Sequence, residues 1–117
     1  LHVGKADDRG GNLTNVTWFG KPTNLHHVWD ESLIELQHLS YSEYAKMLDV
    51  VDRKTTNKWG QDGVLVWAQE SMDWRSNVYD IGEGKLGYEY NFKNIAFLNQ
   101  RLLQAGIRLA HVLNSNL

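Results

Sequence analysis

Apolar residues in four stretches of this chain return at three- and four-residue steps, and that spacing limits the fold more than any other feature. One face of an α-helix carries positions i, i+3, i+4 and i+7, whereas a half-buried strand needs strict alternation. Leu25, Val28, Trp29, Leu33, Ile34 and Leu36 follow the helical rule and predict a helix over about 24 to 38. Tyr44, Ala45, Met47, Leu48 and Val51 predict a second, with Ser42 placed to cap it. Leu65, Trp67, Ala68, Met72 and Val78 predict a third over about 63 to 79, and Ile95, Leu98, Leu102, Leu109 and Val112 or Leu113 a fourth over about 93 to 114. The polar stretch 53–58 reads as a turn or a short helical connection, and Gly82, Gly84 and Gly87 mark a loop. Ahead of the helices, Asn15-Val16-Thr17-Trp18-Phe19 is β-branched and aromatic, with Gly20 and Pro22 behind it. One short strand at about 14–19 follows, set between glycine-rich loops. The class is mainly α with a short β segment near the N-terminus, in one domain of 117 residues.

Charge narrows the function. Twelve Lys+Arg against fourteen Asp+Glu leave a formal net charge of −2. A protein that grips a nucleic-acid backbone through its own side chains usually carries a basic surplus, because counterion release drives that binding. If the substrate here is a polyanion, bound metal must supply most of the positive field. There are no cysteines, so disulfides and thiolate zinc sites are both excluded. No apolar run approaches the roughly 20 residues that span a bilayer, and no membrane partner is expected.

Asn24-Leu25-His26-His27-Val28-Trp29-Asp30 is the segment with chemistry in it. Residues four apart share a helix face, so His26 and Asp30 can present an imidazole nitrogen and a carboxylate oxygen to one divalent cation. Those donors suit zinc, at about 2.0–2.2 Å each, and a catalytic zinc site needs a third protein ligand. His2, in an irregular segment, is available to fold back over the helix. The same spacing also describes an ordinary surface pair, and His27 with Glu31 repeats it. Gly10-Gly11-Asn12 is open in the same way. It reads as a tight turn with Asn12 bonding its own backbone, or as a backbone cradle with an amide facing a ligand. Trp29, Trp67 and Trp74 fall at helical positions and read as core, whereas Trp18 on the strand is ambiguous. Asp7 and Asp8 read as a solvated loop, and His38 and His111 as solvated or locally bonded residues.

Taken in order, Leu1-His2, Gly10-Gly11-Asn12, Asn15-Val16-Thr17-Trp18 and Asn24-Leu25-His26-His27-Val28-Trp29-Asp30 closely resemble the single-strand-specific nuclease and 3′-nucleotidase family of the nuclease S-one / P-one type. Ala105-Gly106-Ile107-Arg108-Leu109-Ala110 with Val112-Leu113-Asn114 resembles that family's closing helix, so the likeness covers the whole chain. The resemblance implies the helical fold shared by zinc phospholipases C and single-strand nucleases, a cluster of three zinc ions, and hydrolysis of single-stranded DNA, RNA and 3′-nucleotides. It implies that His2, His26 and Asp30 together hold one zinc ion, which selects His26 over His27. It implies that Gly10, Gly11 and Asn12 receive a nucleobase beside the metals. It also implies a secreted or periplasmic protein with no obligate protein partner.

The chain departs from the family pattern in two ways. The family's upstream zinc ligands have no counterpart, so one metal site can be completed here, and the chain looks like the C-terminal part, residues 1–117, of a single larger zinc nuclease domain. The absence of the disulfides used by plant and fungal members suggests a bacterial one. Two rival readings remain on the same residues: a phospholipase C-like phosphodiesterase, and an inactive piece that keeps ligands without catalysis.

Overall fold

In the computed structural model, residues 4–117 are described. Two short strands, β1 (Asn15–Trp18) and β2 (Lys21–Asn24), open it as an antiparallel hairpin with Val16 opposite Thr23 and Trp18 opposite Lys21. The two-residue turn, Phe19-Gly20, has both residues at positive φ, 49° and 80°. That handedness matches the twist of a hairpin. Phe19 is an unusual residue there, and it packs edge-on against Trp18 at 5.0 Å and Tyr88 at 4.7 Å between ring centres. Pro22 sits on β2, an edge strand, where its missing N–H leaves no sheet bond unmade.

The sequence pointed to one strand, and the described residues hold three. The third, β3 (Lys85–Leu86), lies in the glycine loop and pairs in parallel with β1, giving the order β2-β1-β3. Two residues are too few for any periodicity to register.

The chain then turns straight into helix. α1 (Leu25–His27), a π-wound turn (Val28–Ser32) and α2 (Leu33–Glu35) run on without a break. The Leu33 N–H reaches back five residues to the Val28 carbonyl, the mark of a π turn. The expected helix over 24 to 38 is therefore real in extent but not uniform. Its N-cap is Asn24, whose side chain accepts from the His27 N–H at 2.9 Å. It ends with His38 at φ 52°.

α3 (Tyr41–Leu48) starts earlier than expected. Its cap is Ser40 rather than Ser42, because Ser40 and Glu43 form a reciprocal capping box. α4 (Arg53–Gln61) agrees with the second of the two readings of 53–58, a turn or a short helical connection, and runs on to Gln61. Asp52 caps it through the Thr55 N–H at 2.8 Å, and it lies against α6. A helix that polar shows no apolar stripe in sequence. α5 (Val64–Val78) and α6 (Tyr88–Asn116) follow, the last beginning five residues before its predicted start. At 29 residues α6 runs roughly 43 Å, close to the full 45 Å length of the molecule.

Val16, Leu25, Val28, Leu33, Leu86, Tyr90 and Leu98 form the core, where sheet, π turn and α6 meet. Trp29 borders it half-buried, with its indole N–H bonded to the Tyr90 hydroxyl at 2.8 Å. Trp67 and Trp74 on α5, expected as core, are instead half-buried outside it and bonded to the Asp62 carbonyl at 2.9 Å and Asn94 Oδ1 at 3.2 Å. Trp18 packs against the same core. Tyr90 in turn donates to the Val78 carbonyl at 2.6 Å, and its burial pushes the phenol well above its ordinary pKa. Among the described residues, no helix is long and apolar enough to cross a membrane.

Candidate metal centre

The loop ahead of the hairpin is shaped by backbone conformations that few side chains tolerate. Asp7, Arg9, Gly10 and Gly11 all have positive φ, from 53° to 90°. At Gly11 the need for glycine is double: φ is 90°, and a Cβ would lie 3.1 Å from the His26 nitrogen. That close approach lets the loop serve the first turn of the helix. The Thr14 carbonyl accepts the Leu25 N–H at 2.9 Å, and the Gly11 carbonyl accepts the His26 N–H at 3.3 Å. Two of the N–H groups that a helix start leaves unmade are satisfied this way.

The same loop reaches the His26 ring. Gly10 O lies 3.0 Å from His26 Nδ1. A carbonyl can only accept, so Nδ1 carries the proton, and the lone pair of a neutral ring belongs to Nε2. Nε2 stands 2.8 Å from Asp30 Oδ2. Nε2, the ring nitrogen on the Asp30 side, is the one placed to meet a cation, and a metal-bound histidine usually has its other nitrogen fastened to a backbone carbonyl or a carboxylate, as Nδ1 is to Gly10 here. The π turn begins between His26 and Asp30, and such bulges recur at functional sites.

His27 makes the rival pair, with Nδ1 3.2 Å from Glu31 Oε2. It is more open, at 49% side-chain exposure against 27% for His26, and no loop carbonyl is seen to hold its ring. His26 and Asp30, with Trp29, line a cleft of about 300 Å³ whose far wall is Arg75, Tyr79 and Arg101. His27 is not part of it. His2, the expected third ligand, lies outside the described residues. Among the described residues no group of three or more His, Cys, Asp or Glu converges on a metal position. The described donors, an oriented imidazole and a carboxylate on one helix face, fit two positions of a zinc site.

Asn12 is exposed, and its amide nitrogen donates to the Arg9 carbonyl at 2.9 Å. Gly10 and Gly11 are occupied with His26 as described. The expected solvated loop at Asp7 and Asp8 needs correcting at Asp8, which is half-buried and fully engaged. Its Oδ1 accepts from the Gly10 N–H at 3.0 Å, and its Oδ2 accepts from Thr14 Oγ1 at 3.4 Å and from the Tyr79 hydroxyl. The Tyr79 bond above all, with the Gly10, Gly11 and Thr14 contacts, holds the carboxyl below the usual aspartate range against the opposing effect of burial. Only the Asp-x-Gly-Gly order hinted at this, since an aspartate often bonds the backbone two residues on.

Behind the cleft wall, Glu70 of α5 accepts from Arg101 and Arg108 of α6, and Arg108 also reaches Asp62 Oδ2 at 3.2 Å. Arg108 stacks over the Trp67 ring at 5.3 Å. These bonds lock α5 to α6 and fix the wall that faces His26.

With this geometry in view, the comparisons with known proteins are direct. The profile of the family described as S1/P1 Nuclease matches residues 1–117. The chain belongs to the S1/P1 nuclease family. It is 33% identical to Endonuclease 2 of Arabidopsis thaliana over 97% of this chain and 45% of that protein. It is 34% identical to Endonuclease 5 of the same plant over the same shares, and 30% identical to Nuclease S1 of Aspergillus oryzae over 88% of this chain and 44% of that one. The chain thus spans less than half the length of the curated relatives it matches. The mainly helical architecture with its small sheet agrees with the S1/P1 nuclease fold.

Proposed function

We propose that the protein carrying this chain is a zinc-dependent nuclease that hydrolyses phosphodiester bonds of single-stranded DNA and RNA and removes phosphate from 3′-nucleotides. The observation that carries the reading is the posture of His26: Nδ1 fastened to Gly10 O, Nε2 turned to Asp30, on a helix of an S1/P1 family chain. His26 and Asp30 of the described residues would hold one zinc ion, with His2 as third ligand. When bound, zinc supplies Lewis-acid stabilisation of phosphoryl charge and activation of water near neutral pH. The part of this chain is to orient. Gly10 keeps the imidazole from rotating, Asp30 presents a carboxylate oxygen beside Nε2, and Trp29 and Ile34 line the same cleft. Gly10 and Gly11 line the same cleft, a position suited to a nucleobase, and Asn12 follows them on the exposed side of the loop. The names of the relatives, endonucleases and a nuclease, favour nucleic acid over phospholipid as substrate. A secreted or periplasmic location belongs to the same proposal.

The test is substitution in the full-length protein with zinc content and activity both measured. His26→Ala should lose one zinc ion per chain and most hydrolysis of single-stranded DNA, while His27→Ala keeps its zinc. Phosphatidylcholine should not be turned over. A His27→Ala protein that loses zinc while His26→Ala retains it would overturn the assignment, and turnover of phosphatidylcholine would move the protein to the phospholipase class.

A further inference from the structure

The geometry points to Asp8 and Tyr79 as positioning residues for the candidate metal centre, which hold the Gly10 carbonyl against His26 and so keep Nδ1 protonated and Nε2 turned to Asp30. This rests on the reading of His26 and Asp30 as zinc ligands.

The argument follows the bonds outward. Gly10 O sets the His26 ring, but a carbonyl in a loop of four positive-φ residues stays in place only if the loop is held. The loop's own backbone bonds run from Asp8 N–H to Lys5 O at 3.4 Å, Asn12 N–H to Arg9 O at 3.5 Å, Thr14 N–H to Gly11 O at 3.2 Å and Leu13 N–H to Asp8 O at 3.0 Å, and none of these four ties Gly10. Asp8 provides the stronger tie. One carboxylate oxygen takes the Gly10 N–H and the other the Thr14 hydroxyl, so a single side chain fastens both sides of the glycine pair. Charge-assisted bonds of this kind are about twice as strong as neutral ones.

Tyr79 anchors Asp8 to the body of the protein. It is the residue that ends α5, 71 positions away in sequence, and its hydroxyl donates to Asp8 Oδ2. The Tyr79 hydroxyl oxygen also accepts the Lys5 N–H at 3.2 Å, and Lys5 Nζ lies 4.7 Å over the Tyr79 ring. One turn earlier on α5, Arg75 donates to the Gly4 carbonyl at 3.1 Å. The end of α5 therefore holds the loop at three points, and Asp8 passes that hold to Gly10. Groups that orient a metal-bound histidine from outside the ligand set typically change metal affinity by roughly 10- to 100-fold when removed.

The experiment uses Asp8→Asn and Tyr79→Phe in the full-length protein. Asn at position 8 keeps the size but replaces one acceptor oxygen with a donor and removes the charge, so it cannot accept from both Gly10 and Tyr79. Phe at position 79 keeps the ring and removes only the bond to Asp8, and it guards against a poorly folded Asp8→Asn. Nitrogen-15 NMR of the metal-free protein reads whether the His26 Nδ1–H is hydrogen-bonded and slow to exchange. Titration calorimetry with zinc reads affinity, and thermal melting reads stability. The expected result is a hydrogen-bonded, slowly exchanging Nδ1–H in the wild type, a faster-exchanging one in both variants, and zinc affinity lower by roughly 10-fold or more for Asp8→Asn and by less for Tyr79→Phe. A wild-type Nδ1–H signal and wild-type zinc affinity in both variants, with only the melting temperature lowered, would overturn the proposal. Should His26→Ala retain all its zinc, the metal reading fails by itself, and the NMR readout still decides whether Asp8 and Tyr79 set the ring.

Discussion

Replacing Glu70 by alanine removes the carboxylate on which two arginines of α6 converge. Arg108 donates to it twice, at 2.7 and 2.9 Å, Arg101 donates to the same Oε2, and the Gln104 amide adds a bond at 3.3 Å. The Arg108 side chain is 5% exposed and Glu70 25%. After the change Arg108 keeps Asp62 Oδ2 at 3.2 Å and the Trp59 carbonyl at 3.4 Å, so its charge is left partly rather than wholly uncompensated. Breaking a buried ion pair by removing one partner costs about 3–5 kcal/mol, and the surviving partners put this case at the low end, about 3 kcal/mol. In a chain of this size that is a fall in Tm of roughly 12 °C. Lys93→Ala is the comparator. Its pair with Glu89 is open to water, with side chains 54% and 84% exposed, and its loss should shift Tm by roughly 2 °C or less.

The same reasoning gives a sign for pH. The Arg108 bond, ahead of every other influence, holds the Glu70 carboxyl below its ordinary value of 4.5. A carboxylate depressed in the folded state contributes fully above that ordinary value, and its contribution fades as pH falls through the folded one. The gap in Tm between wild type and Glu70→Ala should therefore be full at neutral pH and narrow below 4.5. Melting followed by circular dichroism at neutral pH and at about pH 3 checks both points. A Glu70→Ala protein that melts with the Lys93→Ala one at neutral pH, or a gap that widens on acidification, would refute the argument.

Other outcomes can be stated more briefly. Gly11→Ala must place a Cβ 3.1 Å from the His26 nitrogen at φ 90°, whereas Gly20→Ala meets nothing within 4 Å at φ 80°. Both carry backbone strain of about 1–3 kcal/mol, and denaturant titration should show Gly11→Ala as the larger loss by at least about 1 kcal/mol. Asn12→Ala should cut kcat/KM roughly tenfold on 3′-nucleotides and single-stranded DNA, as loss of one hydrogen bond to a base, and leave bis-p-nitrophenyl phosphate almost unaffected. Equal losses on all three would return Asn12 to a turn residue. Ser40→Ala should destabilise by about 1 kcal/mol and Ser42→Ala by far less, because only Ser40 closes the capping box. Urea midpoints of the two variants decide it.

Much of this was legible in the chain before any coordinates. The helix over 24 to 38 and those near 63 to 79 and 93 to 114 came from apolar steps of three and four, because the face that meets a core must recur with the helix period. His26 and Asp30 share a face for the same reason, and the motif order around them marked the S1/P1 family that the profile match shows. α4 was legible only as one of two readings of 53–58, because Thr56, Trp59 and Gly60, the half-buried residues beside α6, leave no apolar stripe. The capping box at Ser40 was written in the sequence as Ser-Tyr-Ser-Glu, and the nearer Ser42 masked it.

Sequence alone determined what depends on short spacing: the helical class, the His26–Asp30 pair, the glycines that free the backbone, and the family. Only the tertiary structure decided what depends on distant residues meeting. His26 and His27 are equals by spacing, and they part because a loop carbonyl from Gly10 reaches one ring, while Glu31 pairs the other in the open. Asp8 read as a solvated residue until Tyr79, 71 positions on, was seen to bond it. The π turn inside the site helix has no period of its own to read, since it is one widened turn with Leu33 bonded back to Val28. Local pattern records which face of an element is apolar, but the orientation of the His26 ring and the setting of the Asp8 carboxylate are fixed by hydrogen bonds to residues brought in from elsewhere in the chain.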